Sequence, residues 1–316
     1  MDRFIKLFII AFGILYISSG SASAGNKVPV FVSIVPQKYF VQQIGKSLVD
    51  VQAMVQPGAS PATYEPKPKQ MADVSKTKIY FAIGVPFENA WLEKIAAANP
   101  NMQVVHTDHG IKKLAMAAQH HHHDGHAKQH HGADHHHEGV AHHGEVGHND
   151  HHERAGLDPH IWLSPPLVKI QARTILSALQ EVDPVHRSVY EANFEEFVAQ
   201  IDQLDADLKE IFAGKTGLQF MVFHPGWGYF AHAYGLKQVP IEIEGKDPKP
   251  AQLKSLIQHA RRDGIKVVFV QPQFSTQSAE VVAREIGGEV AFANPLAEDW
   301  MANLRQVADK FQAALK

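Results

Sequence analysis

Apolar positions along the chain follow two periods, and the places where one gives way to the other predict the elements. Val28 to Val35 (V-P-V-F-V-S-I-V) is a short β-branched run that reads as a buried strand, with a helix from near Gln37 to about Gly45. Val49 to Val55 is a second strand. It empties into Pro57-Gly58-Ala59-Ser60-Pro61-Ala62-Thr63-Tyr64-Glu65-Pro66, whose proline and glycine content makes it a loop. Lys78 to Gly84, Phe87 to Ala98 and Gln103 to Thr107 continue as strand, helix and strand. Such alternation predicts a parallel sheet covered by helices.

Beyond a polar interval, Pro165 to about Gln180 reads as a helix, and Asp183-Pro184 offers an N-cap with proline at the first helical position. Tyr190, Phe194, Phe197, Ile201, Leu204, Leu208 and Ile211 then recur at steps of four and three until Gly214, forming one apolar stripe. A helix of some 28 residues would be a rod of roughly 40 Å, suited to bridging two lobes. A coiled-coil dimer is the competing reading, but fewer than about five heptads lie here, inside a globular chain.

Strands at Leu218 to Phe223, Gln238 to Ile243, Lys266 to Val270 and Glu289 to Ala293 then alternate with helices, the last from Asp299 to Leu315. The fold class is therefore α/β: two lobes, each a mostly parallel sheet flanked by helices, joined by one long rigid helix. The expected divisions are a signal peptide over 1–24, an N-terminal lobe over 25–183, a linking helix over 184–213 and a C-terminal lobe over 214–316. No sequence repeat relates the halves.

A chain of 316 residues at 45% hydrophobic fills two cores of ordinary size. A formal charge of −3 gives no reason to expect a nucleic-acid partner. Arg3 and Lys6 precede the apolar run Leu7 to Ile17 and the small residues Ala22-Ser23-Ala24, the order of a secretory signal cut after Ala24. With no cysteine in the chain there is neither a disulfide framework nor a thiolate ligand nor a site for a lipid anchor. A soluble periplasmic protein is expected.

One segment cannot belong to either core. Residues 119–152 hold fifteen of the chain's 22 histidines among Gly, Asp and Glu, and so bury too little surface to offset the entropy of ordering. The segment is expected to be a mobile metal-gathering loop. His120, His121, His122 and His123 form one run, His126, His130 and His131 follow, and His135, His136 and His137 form a second, so several imidazoles can reach one ion. Capture by such a loop should weaken as pH falls through about 6.5, because each imidazole must lose its proton to coordinate.

This histidine-rich segment leads into Asp158-Pro159-His160-Ile161-Trp162-Leu163-Ser164-Pro165. With Pro57-Gly58-Ala59-Ser60 through Tyr64-Glu65-Pro66, Phe223-His224-Pro225-Gly226-Trp227-Gly228-Tyr229-Phe230, Glu244-Gly245-Lys246-Asp247-Pro248 and Gln271-Pro272-Gln273-Phe274, it forms an ordered set. That set resembles the periplasmic metal-binding proteins of ABC importers for zinc and manganese, the ZnuA/TroA-like family, over nearly all of the chain. The resemblance implies capture of zinc as transported cargo in an interlobe cleft, little movement of the lobes on binding, and delivery to an inner-membrane ABC permease. A monomer is expected.

His160 and His224 are the expected metal ligands; nearly every motif, the Pro57 loop, His224, Glu244, Gln271 and Asn294 among them, falls where α/β sheets bind ligands, outside the carboxyl ends of strands. Zinc usually takes four ligands. The resemblance would place a histidine at Ala62 and a carboxylate at Asn294, and neither is present. Glu65, on the same loop as Ala62, is the nearest anionic replacement, the alternative being a solvated loop carboxylate. Glu244 and Glu242 stand at a strand end, and His106 and His109 could approach from the first lobe. Asp299 reads rather as the cap of the last helix. The nitrogen donors favour zinc over manganese, whose hard sites prefer oxygen.

Two rival classes remain. A zinc hydrolase would need a general base and an oxyanion donor beside the metal; neither His-Glu-x-x-His nor Gly-x-Ser-x-Gly occurs, and an enzyme is not expected. A periplasmic zinc buffer or metallochaperone, with the loop as its main binding element, is the second. The loop's own role has three readings: gathering zinc for the cleft, sensing abundance at its mouth, or buffering.

Overall fold

The computed structural model describes residues 27–116, 156–243 and 245–315. The expected signal peptide, the histidine-rich segment 119–152 with its ten candidate histidines, and Glu244 lie outside these residues.

The first sheet consists of β1 (Val28–Val32), β2 (Val49–Ala53), β3 (Ile79–Ala82) and β4 (Gln103–His106). They are parallel in the order β2-β1-β3-β4. β3 is buried along its whole length, as a central parallel strand covered on both faces must be. β1 ends before Val35 because Pro36 sits in the first turn of α1 (Val35–Gly45), and Gln37 accepts from the Ser33 and Ile34 N–H groups at 3.1 and 3.3 Å. The same device opens α2 (Pro68–Val74), where Gln70 accepts from the Lys67 N–H at 2.9 Å. This short helix falls between the loop ending at Pro66 and the strand expected from Lys78, where the hydrophobic pattern predicts no element, since seven residues carry too little periodicity. α3 (Glu88–Ala98) and α4 (Pro165–Val182) complete the coat.

The long helix begins later than its proline suggests. Pro184–His186 form a 3-10 turn, its entry tied by Asp183, whose Oδ2 bonds His186 Nδ1 and Tyr190 Oη, each at 2.7 Å. α5 (Arg187–Ile211) then runs for 25 residues, about 38 Å at 1.5 Å each. All six stripe residues from Tyr190 to Leu208 are buried, and α5 packs on α4 and α1.

The second sheet repeats the first in topology. β5 (Gln219–Val222), β6 (Lys237–Pro240), β7 (Val267–Val270) and β8 (Glu289–Phe292) lie parallel in the order β6-β5-β7-β8, with α6 (Gly228–Ala233), α7 (Pro250–Arg262) and α8 (Gln277–Glu285) between them. α9 (Trp300–Ala314) leaves this lobe to pack on α5, its Asp299 cap accepting from Ala302 N at 3.1 Å. One apolar cluster therefore runs from β1 through α5 and α9 to Phe220 and Phe269, and a smaller one lies under α7 and α8. Across the lobes, Trp162 Nε1 donates to Pro295 O and Trp300 Nε1 to Trp162 O, both at 2.7 Å. A shared core and these two indole hydrogen bonds tie the lobes to one another.

Candidate metal centre

Strand order reverses between β5 and β7, and the segments after those two strands form one wall of a cleft. His224, two residues past β5, and Gln273 and Phe274, past β7, line it. The opposite wall comes from the first lobe: Ser60, Pro61 and Ala62, then Val85 and Pro86 after β3, and His160 at the entry of the 3-10 turn Ile161–Leu163. The two histidines meet with ring centroids 5.3 Å apart at an interplanar angle of 65°.

Each ring is held from behind by a buried carboxylate. Asp158 Oδ1 accepts from His160 Nδ1 at 2.7 Å and from the His160 N–H at 2.9 Å; Asp158 is 1% exposed. Glu242 Oε1 accepts from His224 Nδ1 at 2.7 Å. A carboxylate only accepts, so Nδ1 carries the proton and the lone pair is left on Nε2 of both rings. Gln271 fixes the His224 backbone on both sides, accepting from its N–H at 3.2 Å and donating to its carbonyl at 2.6 Å. Phe274 stacks on the His224 ring at 4.9 Å.

Glycines permit this closeness. A Cβ at Gly226 would sit 3.4 Å from His160 Nε2, and one at Gly228 only 2.7 Å from Asp158 Oδ2. Tyr229 spans the lobes, its hydroxyl accepting from Leu114 N and donating to Asp158 O, each at 2.9 Å; burial pushes its pKa up to about 12.

The structure thus brings His160 and His224 together. It does not bring Glu65 to them: in the extended chain Tyr64 and Pro66 turn inward, so Glu65 faces solvent and lines no part of the cleft. Glu242 stands behind a histidine rather than in the cleft. His106 and His109 are exposed at the outer edge of the first sheet. Ala62 lines the cleft, whereas Asn294 turns its Oδ1 to the Leu296 N–H at 3.0 Å. Among the described residues no three His, Cys, Asp or Glu side chains gather as a ligand set. Asp158, the residue that orients His160, has a local signal: an acid two positions before the histidine can reach its ring.

Beside the cleft, Met116 N donates to Gly156 O and Asp158 N to Leu114 O, both at 2.8 Å, with Ala115 and Leu157 bridged between them. The described residues on either side of the histidine-rich segment, Met116 and Gly156, are therefore paired with each other, and Met116 lines the cleft.

Two matched parallel-sheet lobes on one connecting helix, facing each other across a preorganised cleft, define a bilobal solute-binding protein. The family model for the zinc-uptake complex component A, periplasmic, matches residues 30–314. The chain belongs to that family. It is 28% identical over 302 residues to the high-affinity zinc uptake system protein ZnuA of Bacillus subtilis (strain 168), covering 92% of this chain and 88% of the relative. The zinc-binding protein AdcA of Streptococcus pyogenes serotype M3 is 26% identical over 278 residues, 86% of this chain and 51% of AdcA. A crystal structure of ZnuA superposes with a TM-score of 0.79 at 40% identity, over 92% of this chain and 100% of that one. A ZnuA deletion mutant with zinc bound gives 0.78 at 40% identity, over 92% and 99%.

Proposed function

We propose that this chain captures zinc in the periplasm, holds it between His160 and His224, and delivers it to an inner-membrane ABC permease. The observation that carries the reading is the pair of imidazoles, one from each lobe, each held through Nδ1 by a buried carboxylate so that both Nε2 lone pairs serve one cleft. Asp158 and Glu242 fix the orientation of the rings and set two formal negative charges behind a dication. Imidazole donors favour zinc over manganese. The histidine-rich segment gathers the ion and passes it inward, which its attachment at Met116 on the cleft wall supports. The amino-terminal segment is removed as a secretory signal.

His160→Ala and His224→Ala in the full chain test this. Each should weaken the tightest zinc equivalent by at least about 100-fold, measured by competition against a chelator. An unchanged tightest equivalent in both variants would remove the cleft from the account. A second reading, zinc storage by the histidine-rich segment, is favoured by Ala62, which offers the cleft no donor. Excising residues 119–152 separates the two: one tight equivalent retained supports the cleft carrier, and none supports storage.

A further inference from the structure

The cleft offers an ion the Nε2 nitrogens of His160 and His224, and zinc usually takes four ligands. The other polar side chains on its walls, Ser60 and Gln273, are engaged within the protein. Ser60 Oγ accepts from the Ala62 N–H at 3.2 Å. Gln273 Nε2 donates to Asn294 Oδ1 at 3.3 Å, and Gln273 Oε1 has almost no accessible surface. Around them the first lobe presents Pro61, Ala62, Val85 and Pro86, and the second presents Pro295 and Leu296. A water held on the ion needs about two to four polar partners, and these six side chains give it none.

We propose that the cargo is zinc already chelated by a small amino acid, which completes the coordination while its uncharged remainder lies on the apolar walls. The inference rests on the reading of the cleft as the zinc site. Three features set this class of ligand. In a tetrahedral ion the two positions left by His160 and His224 are adjacent, and the donor atoms of an α-amino acid close a small chelate ring across such a pair. Asp158 and Glu242 already set two formal negative charges behind the ion, which favours a monoanion over a polycarboxylate such as citrate. Walls that leave water without partners bury a hydrocarbon or an uncharged ring favourably. The amino group has shed its proton in the soluble chelate, so on binding the two imidazoles simply replace the chelate's waters on zinc.

The test is equilibrium dialysis of the full chain, loaded with a single equivalent of zinc, against labelled L-histidine, with labelled citrate as the control. Zinc should raise retention of histidine by about 10–100-fold, as two ligands that favour each other's binding must, and citrate should not be retained. The double variant His160→Ala, His224→Ala should lose both the tightest zinc equivalent and the histidine. Histidine that strips the zinc, or is not retained with it, overturns the inference, whether water or an imidazole from residues 119–152 completes the coordination. Histidine retained equally without zinc, or equally by the double variant, overturns it too. If the parent holds zinc tightly, the double variant does not, and neither takes up histidine, this inference fails and the cleft reading stands. A double variant that keeps the tightest zinc equivalent overturns the cleft reading itself.

Discussion

Gly228 touches no metal, yet replacing it with alanine should damage the site. The added Cβ would lie 2.7 Å from Asp158 Oδ2 and 3.0 Å from Gln238 Nε2. Asp158 would have to retreat by about 0.7 Å, the gap between 2.7 Å and the 3.4 Å at which ordinary contact begins. It has nowhere to go: the residue is 1% exposed, and its other oxygen is bonded to both the ring and the backbone of His160. The displacement therefore passes into the His160 ring. Alanine's better helix propensity offers about 1 kcal/mol in favour of the variant, against about 1–3 kcal/mol for overpacking a closed site. The net effect on stability is small, and the effect on binding is not. Losing the orienting partner of a ligand histidine costs about 10–100-fold in affinity, or about 1.4–2.8 kcal/mol. Chelator competition on the full chain reads the affinity and thermal melting reads the fold. Gly156→Ala, where a Cβ meets nothing within 4 Å, is the matched control. Unchanged affinity in Gly228→Ala would refute the claim that Asp158 orients His160.

Glu242→Gln keeps the shape behind His224 but removes the charge, and the tightest zinc equivalent should weaken by about tenfold in the same competition assay. Trp300→Phe deletes the indole N–H that donates to the buried Trp162 carbonyl, and should destabilise the protein by about 2–4 kcal/mol in chemical denaturation. Stability should fall above pH 10. Burial holds the Tyr229 phenol up at about 12, and holds Tyr80, Tyr190 and Tyr234 above their ordinary range, with Asp183 adding to the effect on Tyr190 and Asp205 on Tyr234. The unfolded chain releases these protons near about pH 10 while the folded one keeps them, so their contribution is complete below that pH and is lost as pH rises through the folded values. Denaturation midpoints at about pH 9 and about pH 11, with phenolate absorbance in parallel, check this.

Much of the architecture is written in local pattern. The strands, the stripe on α5 and the Asp299 cap each follow from residues within a few positions of one another, because periodicity and capping are short-range effects. α2 escaped because its signal is not periodic; it lies in a proline at the first turn and Gln70 reaching back to Lys67. The matched order of the two sheets left no trace in the sequence, since many apolar sequences satisfy one topology.

The site divides in the same way. Which residues to consider was legible: His160 and His224 stand in recognisable motifs, His224 two residues past β5 and His160 at the entry of a 3-10 turn, and the vacant chemistry of Ala62 and Asn294 was visible as letters. Which of them meet was decided by tertiary structure. Glu65, on the loop before α2, and Glu242, two residues past β6, are both carboxylates; one turns to water beside an inward Tyr64, and the other slips behind His224. The sequence by itself determined the donors on offer and the elements that carry them, through chemistry and contacts close along the chain. Only the folded chain decided their geometry, because the approach of His160 to His224, and of each to its carboxylate, depends on where two separately built lobes come to rest against one helix.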